Sequence, residues 1–547
     1  MLRGASLALI LLAPATALAD ETSATDKLRI LYSTRFTFTD DGLPLVTVEI
    51  MSGRPAVHLR ARGGITVRPD GAGGSAIETD GGDAWTITVE DARPAMLQDW
   101  TVVEALAADD ASGVTAGLAR WKARGFEPRS FELGTVFGTG GEVIDTRELR
   151  IAVDPVAAGK GAARAAEIAR RFGVATSVQQ DLVRRPSGTI VARSGATTIR
   201  NPAVLWFQPR KPGETLTVAD VPTIAGGSQR ETGTEDRRYW GAVYVTLDHA
   251  GTLVAANAVA EDKLLAGLVP AEMYPDSPAA ALEAQAIAAR TELLHKIGRR
   301  SLTDPFLLCS TQQCQVYAGA GKEDPRTTRA VDATRGIVLL RDGGGLVDIR
   351  YSASCGGHGE DNDAIWGGDP DPSLRGRSDT KDPKLDAASA AMSRITGDNL
   401  DGFLDGGGDA WCNQGRLGKA KFRWTETISR ADLTARVAAE YPEVGRVTQL
   451  VARRRGVSGR IGVLAITGDK ATAEVSGDLH IRRLLGGLKS TLFEVARQGE
   501  TFVFRGAGYG HGVGMCQMGA IGMAGAGKPY TQILGHYYRG SHLHRLY

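Results

Sequence analysis

Hydrophobic and polar positions alternate with period two along the start of the chain. Leu28-Arg-Ile-Leu-Tyr, Pro44-Leu-Val-Thr-Val-Glu-Ile and Trp85-Thr-Ile-Thr-Val-Glu are short runs rich in β-branched residues. Turn chemistry at Asp40-Asp41-Gly42 and Asp70-Gly71 separates them, which predicts a small β-rich unit over 20–95. Over 99–184 the period switches. Trp100–Glu104, Phe131–Phe137 and Leu149–Val153 read as strands. Gly113–Arg124, with Leu118 and Trp121 at helical spacing, and Ala162–Phe172, with Ala165, Ile168, Ala169 and Phe172 on one stripe, read as helices. A β-like segment near Val174 closes a β-α-β-β-α-β order. Residues 185–236, and Ile199–Asp236 above all, are rich in Pro, Gly and Thr with a charged run at Gln229–Asp236, and read as a linker. A third, β-rich domain is expected over 237–547. It contains a helix from Pro278 to Lys296, with Ser277 as N-cap, Pro278 at the first position and a stripe of Leu282, Ala286, Ala289 and Leu293. The stretch 359–408 is rich in Asp, Gly and Pro and reads as a solvated surface excursion. The fold class is therefore α+β and multidomain, as a length of 547 residues also suggests.

Composition adds three constraints. The charge balance of 64 basic against 63 acidic residues gives a net +1, which argues against a nucleic-acid partner. Arg3, the apolar run Ala5–Leu12 and Ala17-Leu18-Ala19 form a secretory signal at 1–19, with cleavage expected before Asp20. No later run is apolar enough to span a bilayer, so an exported protein without a transmembrane helix is expected, in a periplasmic or cell-wall space. The five cysteines (Cys309, Cys314, Cys355, Cys412, Cys516) all lie in the C-terminal half. Cys309-x₄-Cys314 and Cys355-x₂-His358 have two readings. Thiolates and imidazole from two hairpins can close a structural Zn²⁺ site at Cys309, Cys314, Cys355 and His358. Alternatively, export favours disulfides such as Cys309–Cys314 or Cys355–Cys412.

The candidate chemistry begins at Glu272. It ends an apolar run and is flanked by Val269, Met273 and Tyr274; partial desolvation there would make it a usable general acid near neutral pH. The segment Gly267-Leu-Val-Pro-Ala-Glu-Met, followed by Ala281-Leu-Glu-Ala-Gln-Ala-Ile-Ala-Ala-Arg-Thr, resembles the signature of the SpoIID family, to which the amidase enhancers belong. Cys314-Gln-Val-Tyr-Ala-Gly, Ala330-Val-Asp-Ala-Thr-Arg-Gly, Tyr351-Ser-Ala-Ser-Cys-Gly-Gly-His, Gly510-His-Gly-Val-Gly-Met-Cys-Gln-Met-Gly-Ala and Ile533-Leu-Gly-His-Tyr-Tyr-Arg-Gly continue the likeness in order over 238–547. The departure is Gln313, where the family's metal-bearing block has a His before the second Cys.

The resemblance implies lytic transglycosylase chemistry on peptidoglycan, with Glu272 as the catalytic acid–base and no cofactor required. A non-catalytic enhancer that binds peptidoglycan and activates a separate amidase is the alternative. Peptide-free glycan strands are then the expected substrate. Gln285, Arg290, Gln315, Tyr351, Ser354, His511 and Gln517 fall in the matched blocks as candidate substrate contacts; Arg290 has an internal ion pair as its rival role, and His511 a structural one. Gly506, Gly508, Gly510, Gly512 and Gly514 occupy alternate positions. If extended, that run offers a bare face for a glycan or another chain, with Tyr509 and His511 on the other side. The order over 99–184, with Trp121-Lys-Ala-Arg-Gly-Phe126 between helix and strand, resembles a SPOR domain, which implies binding to glycan stripped of its peptides.

Overall fold

The computed structural model describes residues 31–547 apart from 36, 70–74, 140, 225–230, 311–313, 315–316, 382–393 and 407–408. The expected leader at 1–19, residues Leu28–Ile30 and Gln315 lie outside the described residues.

The first body is built from two β-sheets, of seven and six strands, enclosing a core of Val46, Trp85, Ile87, Ile190, Phe207, Val218, Val243 and Leu253. Its strands come from both ends of the first half of the chain. Pro44–Arg54 pairs with Leu253–Ala260, and Ala84–Arg93 pairs with Ser187–Ser194, both antiparallel. The β-unit therefore does not stop at 95, and 185–236 is not a linker. It supplies Ser187–Ser194, Thr197–Asn201, Leu205–Pro209, Leu216–Ile224 and Glu231–Tyr239. The described part of the charged run that reads as a linker, from Glu231 on, is an edge strand, at the end of the six-stranded sheet. There, exposed Glu, Thr and Arg side chains keep another chain from pairing.

Between the paired strands 84–93 and 187–194 sits an α/β module. Its antiparallel sheet runs in the order Ser177–Arg184, Met96–Ala107, Glu148–Ala157, Arg129–Leu133. Helices Ala111–Ala123 and Gly161–Phe172 cover one face through Trp121 and Ile168 against Val103, Ile151 and Val153. The Gly134 N–H donates to the Gly298 carbonyl (2.7 Å), and Arg299 donates to the Thr146 carbonyl (2.6 Å) and pairs with Glu148 (3.1 Å). The module is thus tied to the helical body that follows.

That body centres on helix Ala279–Lys296, buried along nearly its whole length. Ala281, Ala284, Ala286, Ala288 and Ala289 are all at 0 % exposure; their small side chains let neighbouring helices approach closely. The cap differs by one residue from expectation: Pro278 holds the N-cap position in extended conformation, and the helix starts at Ala279. Helices Glu261–Glu272, Pro325–Ala333, Gln517–Gly525 and Tyr530–Tyr537 surround it.

The segment 360–514 is a further unit inserted into this body. Two three-stranded sheets and helices Arg430–Glu440 and Asp478–Leu484 enclose Leu433, Val437, Leu464, Phe493 and Phe504. Its two ends are held side by side, because Tyr351 pairs with Met515 and Ser352 with Cys516 in a short parallel ladder. The span 237–547 is therefore not one continuous domain. Nor is 359–408 a solvated excursion throughout. Glu360 is buried and accepts from the Val457 N–H (2.8 Å) and the Ser458 hydroxyl (2.7 Å), while Asp361 accepts from the Gly376 N–H (2.7 Å). These carboxylates fold the segment back onto the insert, which charge content alone does not reveal.

Arg290 is wholly buried and pairs with the equally buried Glu261 at 2.6 Å. It also donates to the carbonyls of Thr334 (2.7 Å) and Ile337 (3.2 Å). Removing the guanidinium strands a carboxylate in an apolar interior. We expect Arg290→Ala to lose about 3–5 kcal/mol of folding stability, read as a lowered denaturant midpoint; an unchanged midpoint would contradict this assignment.

Candidate active site

Glu272 is the last residue of its helix and is half-buried. Pro270 lies in the final turn, and the chain leaves at Met273 in extended conformation (φ −134°, ψ 144°). Gln517, the first residue of its own helix, reaches across to this end. Its Nε2 donates to the Glu272 backbone carbonyl (2.8 Å) and to Gln285 Oε1 (3.2 Å). Three expected site residues, from three helices, thus meet at one point. Tyr351 adjoins them. Burial pushes its phenol well above the ordinary value of 10, and the carboxylates of Glu272 and Glu292 push it the same way. Tyr351 stays protonated as a donor at physiological pH.

A surface cluster lies two residues beyond Glu272. Tyr274 is exposed; the Lys421 ammonium donates to its hydroxyl (3.1 Å) and sits 5.0 Å from its ring and 5.9 Å from the exposed Tyr509 ring. The two rings offer faces for stacking, and the ammonium between them a positive charge for an anionic group. Lys421 escapes sequence reading because it belongs to the inserted unit. Exposed Trp366, at 5.0 Å from the His511 ring and 5.4 Å from the Arg350 guanidinium, is a second residue of this kind.

Several expected contacts have other roles. Arg290 is consumed by Glu261 and the carbonyls around it, so it does not face substrate. Ser354 is fully buried, and its backbone exchanges two hydrogen bonds with Tyr509 (3.0 and 2.8 Å). The glycine run is not extended beyond Ala507. Gly512 and Gly514 have φ of +77° and +68°. A Cβ at Gly514 would come within 2.1 Å of the Arg350 carbonyl, and one at Gly512 within 2.4 Å of the Arg460 guanidinium. The bare side is filled by the chain's own segment 350–355 and by Arg460. His511 is half-buried, and its Nδ1 accepts from the Val513 N–H (3.0 Å). This leaves Nε2 as the protonated nitrogen of the neutral ring. Burial lowers its pKa to about 4, against the opposing pull of Asp478.

The expected four-ligand group of Cys309, Cys314, Cys355 and His358 is not assembled. Cys309 and Cys314 are joined in a disulfide. Cys355 lies instead beside Cys412, with sulfurs 3.7 Å apart and unbonded, and the His358 Nδ1 is 2.7 Å from the Gly359 carbonyl oxygen. A wide cleft of about 850 Å³, lined by Arg62, Arg238, Trp240, Glu323 and Arg329, opens between the β-body and the helices and does not include Glu272. Glu272 sits in the surface between Gln517, Tyr351 and the helix end.

Comparison with known proteins gives two matched families. Residues 249–340 match the model described as Stage II sporulation protein, SpoIID, and residues 360–514 match one described as a domain of unknown function (DUF8618). An uncharacterized protein of Brachyspira hyodysenteriae is 28% identical over 303 residues, which cover 55% of this chain and 71% of that protein. The amidase enhancer of Bacillus subtilis is 29% identical over 293 residues, 51% of this chain and 40% of the enhancer. Stage II sporulation protein D of Bacillus amyloliquefaciens is 26% identical over 312 residues, 54% and 76% respectively. The alignment thus spans well under half of the amidase enhancer's length. The second family match agrees with the insertion at 360–514.

The two lowered histidines make stability depend on pH. His295 is held at about 4 by burial, although Asp348 Oδ1 at 3.6 Å opposes this, and His511 is held at about 4 likewise. In the unfolded chain both take up protons near 6.5, before the folded form can. Their contribution is therefore fully present above about pH 6.5 and is lost as pH falls toward 4. The denaturant midpoint of His511→Asn should fall less steeply than that of the unaltered protein between these limits; parallel slopes would contradict this.

Proposed function

The chain belongs to the SpoIID family, and from that footing we propose that it is a peptidoglycan lytic transglycosylase that cuts peptide-free glycan strands with Glu272 as its single acid–base. The observation that supports this reading most is the meeting of two distant signature blocks at the helix end that carries Glu272. Gln517, from the block at 510–520, grips the helix end that carries Glu272, from the block at 267–273.

The chemistry follows from two proton transfers at one carboxyl group. The half-buried Glu272 carboxyl donates its proton to the glycosidic oxygen as the C1–O bond breaks. The resulting carboxylate takes a proton from the C6 hydroxyl of the same muramic residue, and that oxygen closes on C1. The products are a free hydroxyl on the leaving sugar and a 1,6-anhydro end; Glu272 is protonated again. Water is not consumed, so no second carboxylate is needed, in contrast to glycosidases that hydrolyse. Gln517 and Gln285 hold the helix end, the neutral Tyr351 phenol stands near Glu272 while hydrogen-bonded to Glu292, and Tyr274, Lys421 and Tyr509 offer a stacking and charged rim. The order of strands and helices over 96–184 is compatible with a glycan-binding SPOR-like module that adds wall affinity. Export fits a wall substrate, and among the described residues no helix is long and apolar enough to cross a membrane.

Glu272→Gln should retain fold and glycan binding while new anhydro ends, counted by mass spectrometry on denuded glycan, fall by at least ~10³-fold. Undiminished product formation would remove Glu272 from the mechanism. If the unaltered protein makes no such ends but accelerates a wall amidase, the enhancer role replaces this one.

A further inference from the structure

The insert and the helical body meet at a cluster that the cleavage chemistry does not use. Cys355, Cys412, Cys516 and Asp379 come from four separate stretches of chain, and each offers a ligand atom within 4.8 Å of every other. All four are buried. We propose that they bind one Zn²⁺ in a tetrahedral site of three thiolates and one carboxylate.

Four observations carry this. Zinc–sulfur bonds of ~2.3 Å in a tetrahedron place neighbouring sulfurs about 3.8 Å apart, and Cys355 and Cys412 sulfurs are 3.7 Å apart. The Cys516 sulfur accepts from two backbone N–H groups, of Cys355 (3.1 Å) and Gly519 (3.3 Å), and caps the helix Gln517–Gly525; donors and helix dipole both favour a thiolate there. Asp379 is oriented as metal-binding carboxylates are. Its Oδ2 accepts from the Cys412 N–H (3.1 Å), and its Oδ1 from the Tyr537 hydroxyl (2.8 Å), with His536 Nε2 at 3.4 Å. Finally, Ala410, Phe422, Met518, Ile521 and Tyr537 enclose the cluster in an apolar shell. Three thiolates, a carboxylate and Zn²⁺ sum to −2. The guanidiniums of Arg460, bonded to the Cys355 carbonyl (3.0 Å), and Arg423, bonded to the Gly356 carbonyl (2.8 Å), offset that charge. On binding, the three thiols release their protons to solvent, and four Zn–ligand bonds form without any change of oxidation state.

This set is distinct from the disulfide-bonded Cys309 and Cys314 and does not depend on the role given to Glu272. It would fasten the insert, through Asp379 and Cys412, to the residue that precedes Gln517. The test is full-length protein secreted into an oxidising compartment and purified without chelator. Elemental analysis should find about one zinc per chain, and alkylation after non-reducing denaturation in chelator should label the three thiols of Cys355, Cys412 and Cys516. Cobalt exchange should add a thiolate-to-metal charge-transfer band. Cys412→Ser should lose more than about nine-tenths of the zinc while Cys309→Ser keeps it. If Cys412→Ser does not fold, the stoichiometry, thiol count and cobalt spectrum of the unaltered protein decide. A Cys355–Cys412 disulfide with no bound metal, or zinc retained in a folded Cys412→Ser, overturns the assignment.

Discussion

Two residue pairs, Tyr351 with Met515 and Ser352 with Cys516, close a parallel ladder on which the arrangement around Glu272 depends. Parallel pairing of such short strands has little stability of its own. It persists because the flanking loop is locked in place: the backbones of Ser354 and Tyr509 bond each other, and Arg460 fills the space beside Gly512. This seam brings the ends of a long insert together and sets Gln517 within reach of a helix end 245 residues away. A shift of one residue in the ladder would exchange the faces of Tyr351 and Ser352 and move Gln517 off the Glu272 carbonyl.

The seam also accounts for the glycines. Their alternate spacing reads as a strand with a naked face, waiting for a ligand. In the fold, that closeness is spent on the protein itself, with backbone against backbone at Gly514 and backbone against guanidinium at Gly512. What remains open to a sugar is the rim: Tyr274, Tyr509, Lys421 and Trp366. Three of these, Trp366, Lys421 and Tyr509, come from the insert. The insert therefore contributes exposed rings and a cation beside Tyr274, two residues past Glu272, as well as resting on the helical body.

Much of the local structure was legible because it is locally encoded. The stripe and alanine content of 279–296 define a buried helix, and the α/β alternation over 99–184 corresponds to strands Met96–Ala107, Arg129–Leu133 and Glu148–Ala157 and helices Ala111–Ala123 and Gly161–Phe172. The motif blocks indicated Glu272, Gln285, Tyr351 and Gln517, which do come together. What failed was non-local. The Pro- and Thr-rich stretch after 185 has weak alternation because two of its strands, Thr197–Asn201 and Glu231–Tyr239, lie at sheet edges, and its partners are as far as Leu59, opposite Val218. The acidic excursion after 359 looks solvated because nothing local says that Glu360 will meet the backbone near Ser458. The zinc reading groups Cys355 with the wrong partners, because cysteine spacing cannot report which loops converge; the disulfide reading pairs Cys309 with Cys314, as found, and sets Cys355 with Cys412, its unbonded neighbour.

The central claim is that cleavage needs a single carboxylate and no water. Digesting denuded glycan in H₂¹⁸O and reading the isotope in the new ends by mass spectrometry tests it directly. Anhydro ends without ¹⁸O are predicted, since the C6 oxygen of the sugar closes the ring. Reducing ends carrying one ¹⁸O would mean that water attacks C1, and would contradict the account.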